Sequence, residues 1–160
     1  MKQEVERKFR ITYLPKRVLK KGVKIRQGYL SLKPEVRVRL VRNRAYITIK
    51  STGALVRKEF EYRIPLNDAR RMLAMCQWQI DKTRYRVGRA EVDVYHGPLQ
   101  GLIIAEIEMQ RPSESTQLPQ GIQGYDVTRD KRYKNKNLSK SQKVPHLSHK
   151  AGKRDRVDKT

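Results

Sequence analysis

The chain has 160 residues, a length that suits one domain. Its 38 Lys and Arg outnumber its 16 Asp and Glu, and the formal net charge of +22 favours phosphate-rich partners without choosing among them. A single cysteine excludes an internal disulfide and a cysteine metal cluster, and the absence of a long apolar run predicts a cytoplasmic protein without a membrane partner.

Charged and apolar residues alternate with a period of two over most of the first 110 residues, which predicts strands. In chain order, the predicted strands cover residues 2–11, 24–31, 36–41, 45–50, 56–64, 79–87, 90–95 and 101–110. One helix is predicted over 69–76 after a capping segment, and a second, short one over 129–139. Residues 111–124, rich in Pro, Ser and Gly, are predicted to form a loop.

Successive strands joined by short turns predict an antiparallel sheet, and about eight strands can close into a barrel. We therefore predict an α+β, mainly β fold, a closed eight-stranded antiparallel β-barrel that forms a tunnel, with a few outer helices. The domain is expected to span residues 1–138. Residues 139–160, which are polar, basic and without periodicity, are expected to form a disordered tail.

One face of nearly every predicted strand is charged. A half-solvated sheet with a polar outer face explains this alternation, and so does a barrel with a charged lumen and an apolar exterior covered by helices. Acids concentrate in the first and last strands and bases in the middle ones. This sorting favours the lumen, because a solvated surface more often intersperses the two signs.

Carboxylates two positions apart on a strand point the same way. Such pairs are Glu4 with Glu6, Glu59 with Glu61, Glu91 with Asp93, and Glu106 with Glu108. Clustered carboxylates repel one another unless cations hold them, and Mg²⁺ bridges carboxylates to substrate phosphates. Bases that could bind phosphate oxygens are Lys8, Arg37, Arg39, Lys50, Arg57, Lys82 and Arg84. Together these groups supply what phosphoryl transfer to water needs.

The order of several short segments resembles that of the CYTH superfamily, the triphosphate tunnel metalloenzymes. Glu4-Val5-Glu6-Arg7-Lys8 resembles the family's E-x-E-x-K signature. Further segments resemble R-Q-G-Y-L at 26–30, R-x-R at 37–39, T-x-K-[GS] at 48–51, R-x-E-x-E at 57–61, K-x-R-Y at 82–85 and V-T-x-D-x-R-Y-x-N at 127–135. The resemblance covers residues 2–138.

This resemblance implies a barrel tunnel that binds a triphosphate with Mg²⁺ or Mn²⁺, most like the short bacterial members that hydrolyse inorganic triphosphate. It implies metal ligands at Glu4, Glu6, Glu106 and Glu108. It implies phosphate-binding residues at Lys8, Arg37, Arg39, Lys50, Arg57 and Arg84. It also implies that Lys82 and Tyr29 activate the attacking water, which is physically reasonable because a lysine among other bases has a lowered pKa.

Other functions stay open at this point. On the same fold, the chain could be an adenylate cyclase or a nucleoside or thiamine triphosphatase. In another class, it could be a non-catalytic polyphosphate or nucleic-acid binder that uses its net charge and basic tail, although paired carboxylates would repel a polyanion in the absence of metal. We expect a triphosphate-containing small molecule as the partner, no nucleic acid, and a monomer or homodimer.

Overall fold

The computed structural model describes residues 2–53 and 56–147. Within them lie nine strands, namely β1 (Lys2–Tyr13), β2 (Val23–Leu32), β3 (Glu35–Val41), β4 (Arg44–Lys50), β5 (Val56–Ile64), β6 (Trp78–Val87), β7 (Ala90–Tyr95), β8 (Ile103–Glu108) and β9 (Gln123–Asp126). The described residues also contain two helices, α1 (Leu66–Met75) and α2 (Asn135–Ser141). Short 3-10 turns lie at Lys16–Val18, Gly97–Leu99 and Lys131–Tyr133.

Strands β1 to β8 close into an antiparallel barrel, which confirms the predicted fold. Their order is β5-β4-β3-β2-β6-β7-β8-β1, and a further pairing of β5 with β1 completes the ring. Strand β1 makes this closure because its first residues pair with β5, where Glu4 lies opposite Arg57, and its middle pairs with β8, where Lys8 lies opposite Glu106. The register thus brings acids and bases from distant segments into one ring.

The charged face of the sheet is the inner one, as the sorting of acids and bases predicts. Helix α1 covers the outside of β3 and β4, where Val38, Ala45 and Leu73 are buried. A second apolar cluster, with Phe9 and Ile107 among its members, covers the outside of β1, β7 and β8 beneath the segment that precedes β9. Because alternate side chains leave a strand on opposite faces, the charged neighbours of these residues point into the lumen.

One end of the barrel is closed by apolar side chains. Ile80 and Ile104 continue the inward positions of β6 and β8, and they pack with Tyr95, Tyr133 and Leu138 in one buried cluster. The Tyr95 hydroxyl donates a hydrogen bond to the side-chain oxygen of α2's first residue at 2.5 Å. The segment that ends in α2 therefore plugs this end, and the lumen opens at the other.

Gly28 lies on the outward face of β2, where the end of α1 approaches closely. A Cβ atom at this position would lie 2.7 Å from the Cβ of Cys76 and 3.0 Å from a methyl of Leu73. Gly28→Ala is therefore expected to lower the free energy of unfolding by about 1–3 kcal/mol in urea denaturation. The exposed change Lys24→Ala on the same strand is the control, and an equal loss in both variants would contradict this packing.

Two sequence predictions differ from the structure. The predicted loop 111–124 is wrong at its end, because β9 begins at Gln123 and pairs with β1. A Cβ at Gly124 would lie 2.4 Å from the carbonyl oxygen of Arg10, so this glycine permits close strand approach and is not a turn signal. The predicted helix over 129–139 is instead a 3-10 turn followed by α2, because Lys134 between them is extended.

The first residues of the predicted tail contact the rest of the domain. Gln142 donates a hydrogen bond to the carbonyl of Gln79 at 2.8 Å, and Arg132 donates one to the carbonyl of His146 at 3.1 Å. Residues 148–160 lie outside the described residues, so the boundary at 138 stays a prediction. Among the described helices, none has the length and apolar character needed to cross a membrane.

Candidate active site

The lumen contains a cavity of about 850 Å³, measured together with its open mouth. Every predicted site residue except Lys82 lines it. The acidic lining residues are Glu4, Glu6, Glu35, Glu59, Glu61, Glu91, Glu106 and Glu108. The basic ones are Lys8, Arg37, Arg39, Lys50, Arg57, Arg84 and Lys134. With eight carboxylates against seven bases, the lumen would not attract a polyanion through net charge alone.

The bases in the lumen hold the acids that are predicted to bind metal. Lys50 donates hydrogen bonds to both carboxylate oxygens of Glu4, at 2.8 and 3.1 Å. Arg57 lies 3.3 Å from Glu4 and 3.3 Å from Glu6, and Lys8 lies 3.6 Å from Glu106. Predicted metal ligands and predicted phosphate ligands thus neutralise one another in this structure.

Burial and neighbouring charges separate the titration of these carboxyl groups. Burial and the nearby Glu106 raise the pKa of Glu6 to about 8. Burial acts in the same direction on Glu4, but Lys50 and Arg57 outweigh it and lower the pKa of that group. Lys8 and Lys82 likewise outweigh burial and hold the pKa of Glu106 well below its usual range. The repulsion between Glu6 and Glu106 is one that a bound divalent cation would relieve.

The chemistry of the donor set fits a hard divalent cation, because all four predicted ligands offer carboxylate oxygens. Within residues 2–53 and 56–147, however, no group of three acidic or histidine side chains is arranged to hold a metal ion. The reason is visible in the contacts, since Lys50, Arg57 and Lys8 draw the carboxylates toward themselves. A divalent cation shared by these carboxylates would have to displace the three bases.

Lys82 lies on the inward face of β6, between Ile80 and Arg84, but in a buried network that does not line the cavity. Its side chain is 0% exposed, and its Nζ donates a hydrogen bond to Asp93 at 2.6 Å. Arg84 donates two more to the same carboxylate, at 2.7 and 2.9 Å. Burial lowers the pKa of Lys82 to about 7, with Asp93 opposing the shift and Arg84 and Arg39 adding to it. This amine can therefore lose its proton near neutral pH.

Tyr29 lines the cavity although it is almost fully buried. Its hydroxyl accepts a hydrogen bond from Gln27 at 3.2 Å, and the Gln27 oxygen accepts one from Arg39 at 2.9 Å. Burial raises the pKa of the Tyr29 phenol well above its ordinary value. In the part of the chain that the structure describes, Lys82 bonds to Asp93 and Tyr29 to Gln27, so their joint action on a water stays a prediction.

Sequence reasoning missed several residues of the site. Glu35 is buried and lies 3.5 Å from Arg57, and its period-two spacing from Arg37 could have identified it. Lys134 reaches the lumen from the plug and donates a hydrogen bond to the carbonyl of Gly53 at 2.9 Å. No strand periodicity marks Lys134. The pairing of carboxylates in the sequence indicates Asp93 but predicts no role for it.

The known proteins that this chain resembles in sequence and fold include enzymes. A family model described as the CYTH domain matches residues 2–143. An inorganic triphosphatase from Acetivibrio thermocellus is 38% identical over 150 residues, which cover 88% of this chain and 96% of that protein. One from Nitrosomonas europaea is 34% identical, covering 86% and 97%. The crystal structure of the inorganic triphosphatase NE1496 superposes with a TM-score of 0.64 at 30% identity, covering 91% of this chain and 99% of that one.

Proposed function

The chain belongs to the CYTH domain family, and from this premise we propose that it hydrolyses inorganic triphosphate to diphosphate and phosphate inside its barrel, with Mg²⁺ or Mn²⁺. The observation that carries this proposal is the lumen of paired acids and bases, in which Lys50 and Arg57 hold Glu4 and Glu6. Relatives named inorganic triphosphatase, at 34 and 38% identity over most of the chain, support the same substrate.

Substrate binding would exchange the partners of these charges. The triphosphate would take the bases that line the lumen, namely Lys8, Arg37, Arg39, Lys50, Arg57 and Arg84. Arginine binds phosphate oxygens in a bidentate manner and lysine as a point charge. The carboxylates freed from these bases, with Glu108 nearer the mouth, would hold the metal. When bound, the metal supplies charge neutralisation at the phosphate oxygens.

We assign the activation of water to Lys82 and Tyr29. The Lys82 amine has a pKa of about 7 and can take a proton at neutral pH. The Tyr29 phenol stays protonated, because burial raises its pKa, and it can orient a water or a phosphate oxygen by donating a hydrogen bond. Asp93 and Arg84 hold Lys82 in place. A cytoplasmic location and a monomeric or homodimeric state stay predictions.

A phosphate-release screen tests this function. Inorganic triphosphate, ATP, thiamine triphosphate and long polyphosphate are each incubated with the full chain and Mg²⁺, Mn²⁺ or a chelator. We expect the fastest release from inorganic triphosphate, and release at the blank level with chelator. Formation of cyclic AMP from ATP would favour a cyclase instead. Salt-dependent binding of polyanions without any release would favour a non-catalytic binder.

A further inference from the structure

Three arginines extend the inward face of the barrel beyond the cavity, toward its open mouth. Arg63 is two positions after Glu61 on β5, and Arg86 is two positions after Arg84 on β6, so each is the next inward-facing residue of its strand. Arg44 lies on the inward side of β4. The β4–β5 and β6–β7 registers contain no irregularity, so the period of two keeps all three on the lumen side. All three are exposed, and we call them the mouth arginines.

The mouth arginines lack the compensation that bases inside the lumen have. Among the residues that the structure describes, none of the three guanidinium groups forms an ion pair or a hydrogen bond. Arg86 lies directly opposite Glu91 in the register, yet the Glu91 carboxylate pairs with Arg84 at 2.5 Å. The lumen is thus nearly balanced in charge, whereas the three guanidinium groups at its mouth have no ion-pair partner among the described residues.

The distance between successive inward positions on a strand places these arginines just beyond the residues proposed to bind the substrate. Inward positions on one strand are about 7 Å apart, so Arg86 lies one step outward from Arg84, a residue that lines the cavity. We propose that the mouth arginines form an outer subsite for the phosphate groups of a linear chain that extends beyond the three units held in the lumen. This inference rests on the proposed function and assigns linear tetraphosphate and longer chains as further ligands.

The shape of the site favours a linear phosphate chain over nucleic acid. The interior of an eight-stranded barrel is only about as wide as the side chains that fill it, which admits a single extended chain and excludes a duplex. The planar guanidinium group matches the geometry of phosphate oxygens, and each exposed arginine contributes weakly alone. The three lie at the same open end of the inward faces of β4, β5 and β6, so a phosphate chain that leaves the lumen there passes all three charges.

The test compares linear tetraphosphate with triphosphate on two variants of equal charge. One carries Arg44→Gln, Arg63→Gln and Arg86→Gln at the mouth. The control carries Lys24→Gln, Arg70→Gln and Arg71→Gln, which are exposed outside the lumen. We measure kcat/KM for both substrates and the inhibition of triphosphate hydrolysis by tetraphosphate. In the mouth variant, kcat/KM for tetraphosphate is expected to fall about tenfold more than kcat/KM for triphosphate. In the control variant, the ratio of the two kcat/KM values is expected to stay at its wild-type value.

Equal losses for both substrates in the mouth variant would show general attraction of anions and would contradict an outer subsite. A wild-type ratio in that variant, or an equally changed ratio in the control, would contradict it too. A wild-type chain that leaves triphosphate intact contradicts the proposed function instead. In that case, calorimetric titration of both chains with tetraphosphate still decides whether the outer subsite exists.

Discussion

Glu106→Gln is expected to lower triphosphate hydrolysis by about 10²–10³-fold and to raise the metal concentration needed for half-maximal rate. Glu106 lies opposite Lys8 on β1 and opposite Glu91 on β7, so it is at the centre of the charged ring. Glutamine keeps the size of the side chain but removes the charge that a divalent cation needs. Rates measured over a range of Mg²⁺ and Mn²⁺ concentrations test both effects.

The matched control is Glu114→Gln. Glu114 pairs with Arg89 at 2.8 Å outside the cavity lining, so its loss should leave the rate and the metal requirement near those of the wild type. Thermal unfolding of both variants separates loss of fold from loss of chemistry, because Glu106→Gln also removes the carboxylate that lies 3.6 Å from Lys8. A folded Glu106→Gln chain with the normal rate and metal dependence would contradict the proposal that Glu106 binds the metal.

Lys82→Met is expected to lower kcat by about 10²–10⁴-fold, the range typical of a lost general base. The wild-type rate carries a second sign of the same role. Burial lowers the pKa of Lys82 to about 7, and a base acts in its neutral form. The rate should therefore rise about tenfold between pH 6 and pH 8, as the neutral fraction grows. Single-turnover rates at saturating triphosphate and metal measure it.

Lys82→Arg distinguishes a base from a fixed positive charge. Arginine keeps the charge beside Asp93 but cannot give up its proton in this range. If Lys82 acts as a base, Lys82→Arg stays as slow as Lys82→Met and both lose the rise with pH. If Lys82 acts as a cation that binds phosphate, arginine restores activity in part, and the wild-type rate falls as pH increases through about 7.

The sequence predicts the wall of this barrel better than the contacts inside it. Period two identifies β1 to β8 because one face of each strand is apolar and the other charged, and sorting of the charges indicates which face is inward. The sequence pattern could not show that Lys50 binds Glu4, since that contact depends on the pairing of β1 with β5 across a long stretch of chain. Local spacing carries no such long-range register.

Lys134 and β9 escape prediction for related reasons. Lys134 enters the lumen from a short extended link between a 3-10 turn and α2, and no periodicity marks such a link. Strand β9 has only four residues, and its glycine reads as a turn signal in sequence. In the structure that glycine serves a close approach between backbones. Both features depend on what the rest of the chain presents to them.

The pairing of Lys50 and Arg57 with Glu4 has a thermodynamic consequence. A cation that draws Glu4 away removes one carboxylate partner from each base, and a phosphate that takes Lys50 removes one basic partner from Glu4. If Glu4 binds the metal and Lys50 the phosphate, as we propose, metal and triphosphate are heterotropic ligands whose binding is linked, and each strengthens the other by the same factor. The affinity of this lumen for either one is defined only at a stated concentration of the other.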